Sequence, residues 1–263
     1  MTTIYATGKV SEQSAAEAKK TIFGKWDVGA SSSKSYKTSK KNSDCVFNYI
    51  EFTDDTYLIS LGLVVDGETE SGSIFGDYEL IESGGSVTEV RLYYSVSGSN
   101  IQIATLTDIE VTETSGSLDA TFTINFEIDL GEINITCNDL GGNYSADKDE
   151  AMDETTSADE DSNHYKLVRN WRATSYNDSD GGTLSSWLED YCRDEYYNPE
   201  TGEWEDTIAE DCTIPSGIQV NISTFGTYVF ITLDTAGSPL TVDVGTWDWI
   251  DAAQTQFEVD GEQ

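Results

Sequence analysis

Residues 118–130, LDATFTINFEIDL, alternate without exception. Leu118, Ala120, Phe122, Ile124, Phe126, Ile128 and Leu130 share one parity, and Asp119, Thr121, Thr123, Asn125, Glu127 and Asp129 the other. Period two places the first set on one buried face of a β-strand and the second on a wet face. A strand this one-sided requires antiparallel neighbours of the same kind. Seven further segments supply them: 23–29, 46–53, 56–65, 72–81, 88–96, 101–113 and 132–137. Between them stand turn residues such as Asp54-Asp55, Asp66-Gly67, Gly84-Gly85, Ser97-Gly98-Ser99 and Ser115-Gly116. Eight antiparallel strands joined by short hairpins predict an all-β fold that closes most simply into a barrel, with a two-sheet sandwich as the competitor.

The chain is long enough for two domains, and the charge along it is uneven. Residues 1–41 hold eight Lys against Glu12, Glu17 and Asp27, a net of +5, while residues 42–263 hold six basic and 46 acidic residues, a net of −40. A field of that sign repels phosphate backbones, which argues against nucleic-acid binding. With 14 Tyr and 6 Trp the chain nevertheless carries enough aromatic surface to build a core. No apolar run is long enough to span a membrane, and the first twenty residues carry no signal-peptide core. Cys45, Cys137, Cys192 and Cys212 form no CxxC, so zinc is not suggested. Two cysteines in each half suit Cys45–Cys137 and Cys192–Cys212 bridges, although spacing leaves the other two pairings open. Disulfides in an acidic, Tyr/Thr/Ser-rich β protein point to a secreted or cell-surface location.

Four regions follow. Residues 1–22 are a tail whose 2–10 stretch places Ile4, Ala6 and Val10 on one parity, followed by a short helix expected at about 12–22, with Ser11 as its N-cap. Residues 23–137 are the barrel. Residues 138–163 are nearly all polar or acidic and read as an extended linker. Residues 164–263 replay the first half in order. Residues 24–28 are answered by 169–173, around Trp26 and Trp171. Asp44-Cys45 with 49–52 is answered by Asp211-Cys212 with 218–221, 56–59 by 227–230, and 76–80 by 245–249. The second copy stops after about five strands, which predicts an incomplete sheet with an unpaired edge. It also carries an insertion, residues 177–211, rich in aromatics.

A helix leading into Gly24-Lys25-Trp26, a Cys45 preceding the strand pair from Ile50 to Tyr57, and the Gly245-Thr246-Trp247-Asp248-Trp249 strand together resemble the lipocalin-like (calycin-type) domains of secreted and surface proteins of Bacteroidetes. The resemblance covers about 12–137 and, in part, 165–260. It implies an eight-stranded barrel, in some members with a hydrophobic cavity, and implies no catalytic residues.

One His, His164, in the whole chain leaves no Ser-His-Asp triad, Cys-His pair or multi-His metal site to assemble, and it reads as a solvated residue at the linker boundary. Asp178, Asp180 and Glu189 have the wrong spacing for an EF-hand, and DSDGG reads as a turn. The expected protein is therefore not an enzyme and uses no cofactor. Trp187, Tyr191, Tyr196, Tyr197 and Trp204 of the insertion are the candidate ligand-binding residues, for a glycan or protein, unless they pack on their own sheet. The barrel interior is the candidate site for a small apolar ligand. The alternative is a structural subunit that self-associates through its open sheet edge.

Overall fold

The computed structural model describes residues 22–28, 45–53, 56–65, 68–83, 86–96, 98–114, 117–133, 135, 137, 140–149, 152, 159–173, 183–209 and 212–261. The helix expected at 12–22 and the 2–10 stretch lie outside them, apart from Ile22. The chain divides into two compact units, the first built on a barrel and the second on an open sheet.

The barrel is closed and antiparallel, with strand order β1 to β8. Its strands are β1 (Gly24–Val28), β2 (Cys45–Phe52), β3 (Thr56–Val65), β4 (Glu68–Ser83), β5 (Ser86–Val96), β6 (Ser99–Thr114), β7 (Ser117–Phe126) and β8 (Gly142–Lys148). β8 pairs with both β7 and β1, which completes the ring. One parity of each strand points inward: Trp26, Ile50, Phe52, Val90, Leu106, Ala120 and Phe122, from five strands, line a single central pocket. The alternation of β7 does what its pattern dictates, with Ala120, Phe122 and Ile124 buried and Thr121 and Asn125 exposed.

The eighth strand is not where periodicity placed it. β7 ends at Phe126, the chain makes a 3-10 turn at Leu130–Ile133, and Ile135 and Cys137 belong to no strand. Leu130, Ile133, Cys137 and Leu140, between the end of β7 and the start of β8, are all buried without forming part of the wall. The wall is completed by GNYSADK, which sequence composition assigns to the acidic linker. Its Gly142, Tyr144 and Ala146 stand opposite Ile124, Phe122 and Ala120. Small residues suffice there because Phe122 and Tyr144 stack on each other and Phe47 meets both edge-on. The barrel thus runs to Lys148, and Lys25 and Asp149 tie its mouth at 3.1 Å.

The second unit holds β9 (Asn170–Arg172), a hairpin of β10 (Arg193–Asn198) and β11 (Glu203–Ile208), and β12 (Gly217–Ile222), β13 (Thr227–Leu233), β14 (Pro239–Trp249) and β15 (Phe257–Gly261). Two short helices, α1 (Asn163–Leu167) and α2 (Leu184–Asp190), accompany them. Five strands form one open sheet in the order β15-β14-β13-β12-β9.

The register of that sheet follows the first five barrel strands. Trp26 stands opposite Ile50, and Trp171 opposite Val220. Tyr57 stands opposite Gly76, and Tyr228 opposite Gly245. The indole N–H of Trp26 donates to the Ile22 carbonyl at 2.8 Å, and that of Trp171 to the Leu167 carbonyl, also at 2.8 Å and also four residues back. The Tyr78 hydroxyl donates to the Thr53 carbonyl at 2.7 Å; at the matching place the Trp247 indole donates to the Ser223 carbonyl at 2.8 Å. By these registers Ile50 corresponds to Val220, so the expected match of 49–52 with 218–221 is one residue out, and 219–222 is the aligned stretch.

Candidate functional site

Both disulfides are Cys45–Cys137 and Cys192–Cys212. The second holds the base of the insertion, whose described residues, 183–209, form a helix and a hairpin. Helix α2 starts at a reciprocal cap, with Thr183 and Ser186 each accepting the other's backbone N–H. Its Leu188 is buried, and the half-buried Trp187 meets Phe230 of β13 edge-on at 6.2 Å. The Tyr191 hydroxyl donates to Thr241 of β14 at 3.2 Å. Of the five candidate residues, Trp187 and Tyr191 therefore pack on the second unit's own sheet.

The other candidates ride on the hairpin. Tyr197 and Trp204 face each other across β10 and β11, with rings 5.7 Å apart at 63°. They are 52% and 69% exposed. Tyr196 pairs through its backbone with Glu205, and its side chain lies outside the described residues. The hairpin turn is well determined: Gly202 takes a left-handed φ of 75° and its N–H donates to the Asn198 carbonyl at 2.8 Å. Asn198 and Thr201 both donate to the Glu205 carboxylate. Arg193, the only cation of residues 193–208, is held between Asp190 at 2.8 Å and Asp206 at 3.3 Å. The aromatic pair thus stands on a rigid stem among carboxylates.

Inside the barrel an apolar pocket runs between Ile22, Trp26, Phe52, Val111 and Phe122, with a volume of about 20 Å³ for the centre of a water molecule. That is room for roughly one water molecule.

The open sheet differs from the barrel on its corresponding face. Trp26 is 3% exposed and Trp171 45%. Val90 and Leu92 of β5 are fully buried, while Phe257 and Val259, at the matching positions of β15, are 44% and 51% exposed. Ile74 is buried and its counterpart Asp243 is exposed. In the barrel, strands β6 to β8 cover this face. In the second unit, among the described residues, α2 and the Tyr191 that follows it meet this face at Phe230 and Thr241.

His164 is fully buried, against the expectation of a solvated boundary residue. It sits in α1 against Trp247 and Trp249, with ring centres 5.6 and 6.3 Å away. Trp249 donates its indole N–H to Nδ1 at 3.0 Å, so Nδ1 is unprotonated and Nε2–H faces the Thr224 hydroxyl at 3.0 Å. The histidine closes one end of the sheet's aromatic core and performs no acid–base task that the geometry exposes.

Among the described residues no group of three His, Cys, Asp or Glu side chains is placed to hold a metal ion. Asp178 and Asp180 lie outside the described residues. The carboxylates that do approach each other lie on the barrel's outer surface, where Asp147 of β8 stands between Asp27 and Asp119. Partial burial, and then a hydrogen bond shared with Asp149, push the Asp27 carboxyl above its ordinary value, with Lys25 pulling the other way. Burial and then Asp119 do the same to Asp147. No helix among the described residues is long and apolar enough to cross a membrane. No protein-family model, no curated protein and no solved structure matches the chain.

Proposed function

We propose that the chain is a non-enzymatic recognition protein of the cell surface or extracellular medium, built of two lipocalin-like units of which the second is a shortened copy of the first. In this reading the stapled hairpin presents Tyr197 and Trp204 to a glycan. The observation that carries it is the 69% exposure of Trp204 in an edge-to-face pair with Tyr197 on a disulfide-held stem. A ring held in place loses little freedom on binding, and its apolar face packs on the C–H face of a sugar. Asp206, on the same face of β11 as Trp204, is an acceptor for sugar hydroxyls. The narrowness of the barrel pocket between Trp26, Phe52 and Phe122 favours this surface over a small apolar ligand inside. Two disulfides, with no free cysteine among the described residues, suit an oxidising compartment.

Affinity electrophoresis in gels containing soluble β-glucan, xylan, mannan or glycol chitin tests it. The expected result is retardation of the native protein by at least one polysaccharide, lost in the Tyr197→Ala/Trp204→Ala double variant. Retardation equal in both proteins, or absent in every gel, refutes the glycan reading.

A second reading, a structural subunit joined to its neighbours by strand addition, is favoured by the open edge of the five-stranded sheet.

A further inference from the structure

The outer side of β15 is a strand edge whose hydrogen-bonding groups can be assigned. The Trp247 N–H donates to the Gly226 carbonyl at 2.9 Å, so Trp247 turns its backbone groups toward β13. Its partner in β15, Val259, therefore forms a non-hydrogen-bonded pair with it. The Ile250 N–H donating to the Gln256 carbonyl at 3.0 Å fixes the same alternation from the other end of β15. Phe257, Val259 and Gly261 thus point their N–H and C=O groups away from β14, and among the described residues no strand pairs with that side. The same residues carry the exposed apolar side chains of the sheet's inner face. In the barrel, the matching side of β5 is hydrogen-bonded to β6, and Val90 and Leu92 are buried. The edge therefore lacks one specific thing, a strand in the place of β6 with one apolar parity.

The chain contains such a segment. Residues 2–10, TTIYATGKV, put Ile4, Ala6, Gly8 and Val10 on one parity and Thr3, Tyr5, Thr7 and Lys9 on the other. Nine residues extended span about 30 Å, more than the length of β15. Small side chains on the inward parity fit beside the large Phe257 and Trp249. The segment also belongs to the positive end of the molecule, residues 1–41 at net +5, while residues 42–263 carry −40 and β15 itself carries Glu258 and Asp260. Opposite charges steer this segment to that edge and keep the acidic faces of two copies apart.

We infer that residues 2–10 of one copy add as a strand to the β15 edge of a second copy, covering Phe257 and Val259. This rests on the strand-addition reading above. The two surfaces differ, so the contact is head-to-tail and extends into a ladder of copies unless its rotation closes a ring.

The test uses the full chain at physiological salt, by light scattering after size exclusion and by hydrogen exchange of the 257–261 amides. Two variants accompany it: deletion of 2–10, and Val259→Pro, which removes an outward N–H from an edge strand where proline is tolerated. The expected result is a series of multiples of the 28.9 kDa chain, reduced at least tenfold in both variants, with added TTIYATGKV peptide restoring slow exchange at 257–261 in the deletion variant. Multiples lost with Val259→Pro but kept in the deletion overturn the choice of donor and leave strand addition standing. Multiples kept in both variants overturn strand addition at this edge. A monomer with slow exchange at 257–261 that the deletion abolishes shows the segment docking on its own chain, and overturns the intermolecular contact. A monomer with fast exchange there overturns both.

Discussion

Trp26 and Trp171 provide a matched pair in which one variable, closure of the wall around them, changes. Each indole donates at 2.8 Å to a carbonyl four residues back, and each stands opposite an aliphatic residue of the next strand, Ile50 or Val220. Replacing either with alanine removes the same hydrogen bond, so that contribution of about 1 kcal/mol cancels in the comparison. What remains is buried area. A tryptophan side chain offers roughly 200 Å², and at about 25 cal/mol per Å² full burial stabilises by about 5 kcal/mol. Trp26 at 3% exposure has nearly all of it, and Trp171 at 45% exposure has little more than half, about 2.7 kcal/mol. Trp26→Ala is therefore expected to cost about 2 kcal/mol more than Trp171→Ala, a difference more trustworthy than either absolute value. The two units need separate readouts. Hydrogen exchange read by mass spectrometry on peptides from β2 and from β12 gives each unit its own opening free energy. Equal losses would refute the argument, because they would mean that the Trp171 face is covered in solution as completely as the barrel interior.

Lowering the pH from neutrality toward the ordinary carboxylate range is expected to raise the melting temperature of the barrel. Asp27 and Asp147 have folded-state pKa values above their unfolded ones, so the folded barrel binds more protons and gains stability as pH falls toward the folded values. A melting temperature that falls over that range would refute the assignment. His164→Leu strands the indole N–H of Trp249 and the side-chain contact of Thr224 in a buried place, at a cost of about 2–4 kcal/mol confined to the second unit. Urea unfolding followed by tryptophan fluorescence measures it, and an unchanged midpoint contradicts the burial. Gly76→Ala drives a methyl into the Tyr93 carbonyl oxygen and sets it 3.2 Å from the Tyr57 ring, so strands β4 and β5 must part. A loss of about 2 kcal/mol or more in thermal melts is expected, and wild-type stability would refute the close approach.

The strands whose two faces see different solvents were legible from periodicity alone. Residues 118–126 carry their instructions in the side chains, because every inward position is apolar and every outward one polar. The stops were legible too, since turn residues are local chemistry: β3 ends at Val65 and β4 at Ser83, each just before a Gly-containing pair in the sequence. β8 was not legible, because GNYSADK owes its place to hydrogen bonds from β7 and β1 and to Phe122 filling the volume opposite it. The apolar stretch after Phe126 looked like more strand for the complementary reason: Leu130, Ile133 and Cys137 are buried, but in no strand.

Within the candidate site, the sequence by itself picked out the aromatic insertion and an open second sheet. Only the tertiary structure divided the aromatics, since Trp187 and Tyr191 meet Phe230 and Thr241, far along the chain, while Tyr197 and Trp204 meet only each other among the aromatic rings described. The burial of His164 was decided in the same way, by Trp247 and Trp249 more than eighty residues later. Periodicity reports the environment along one strand; which distant side chain fills the space beside it depends on how the strands are brought together, and one sequence window carries no record of that.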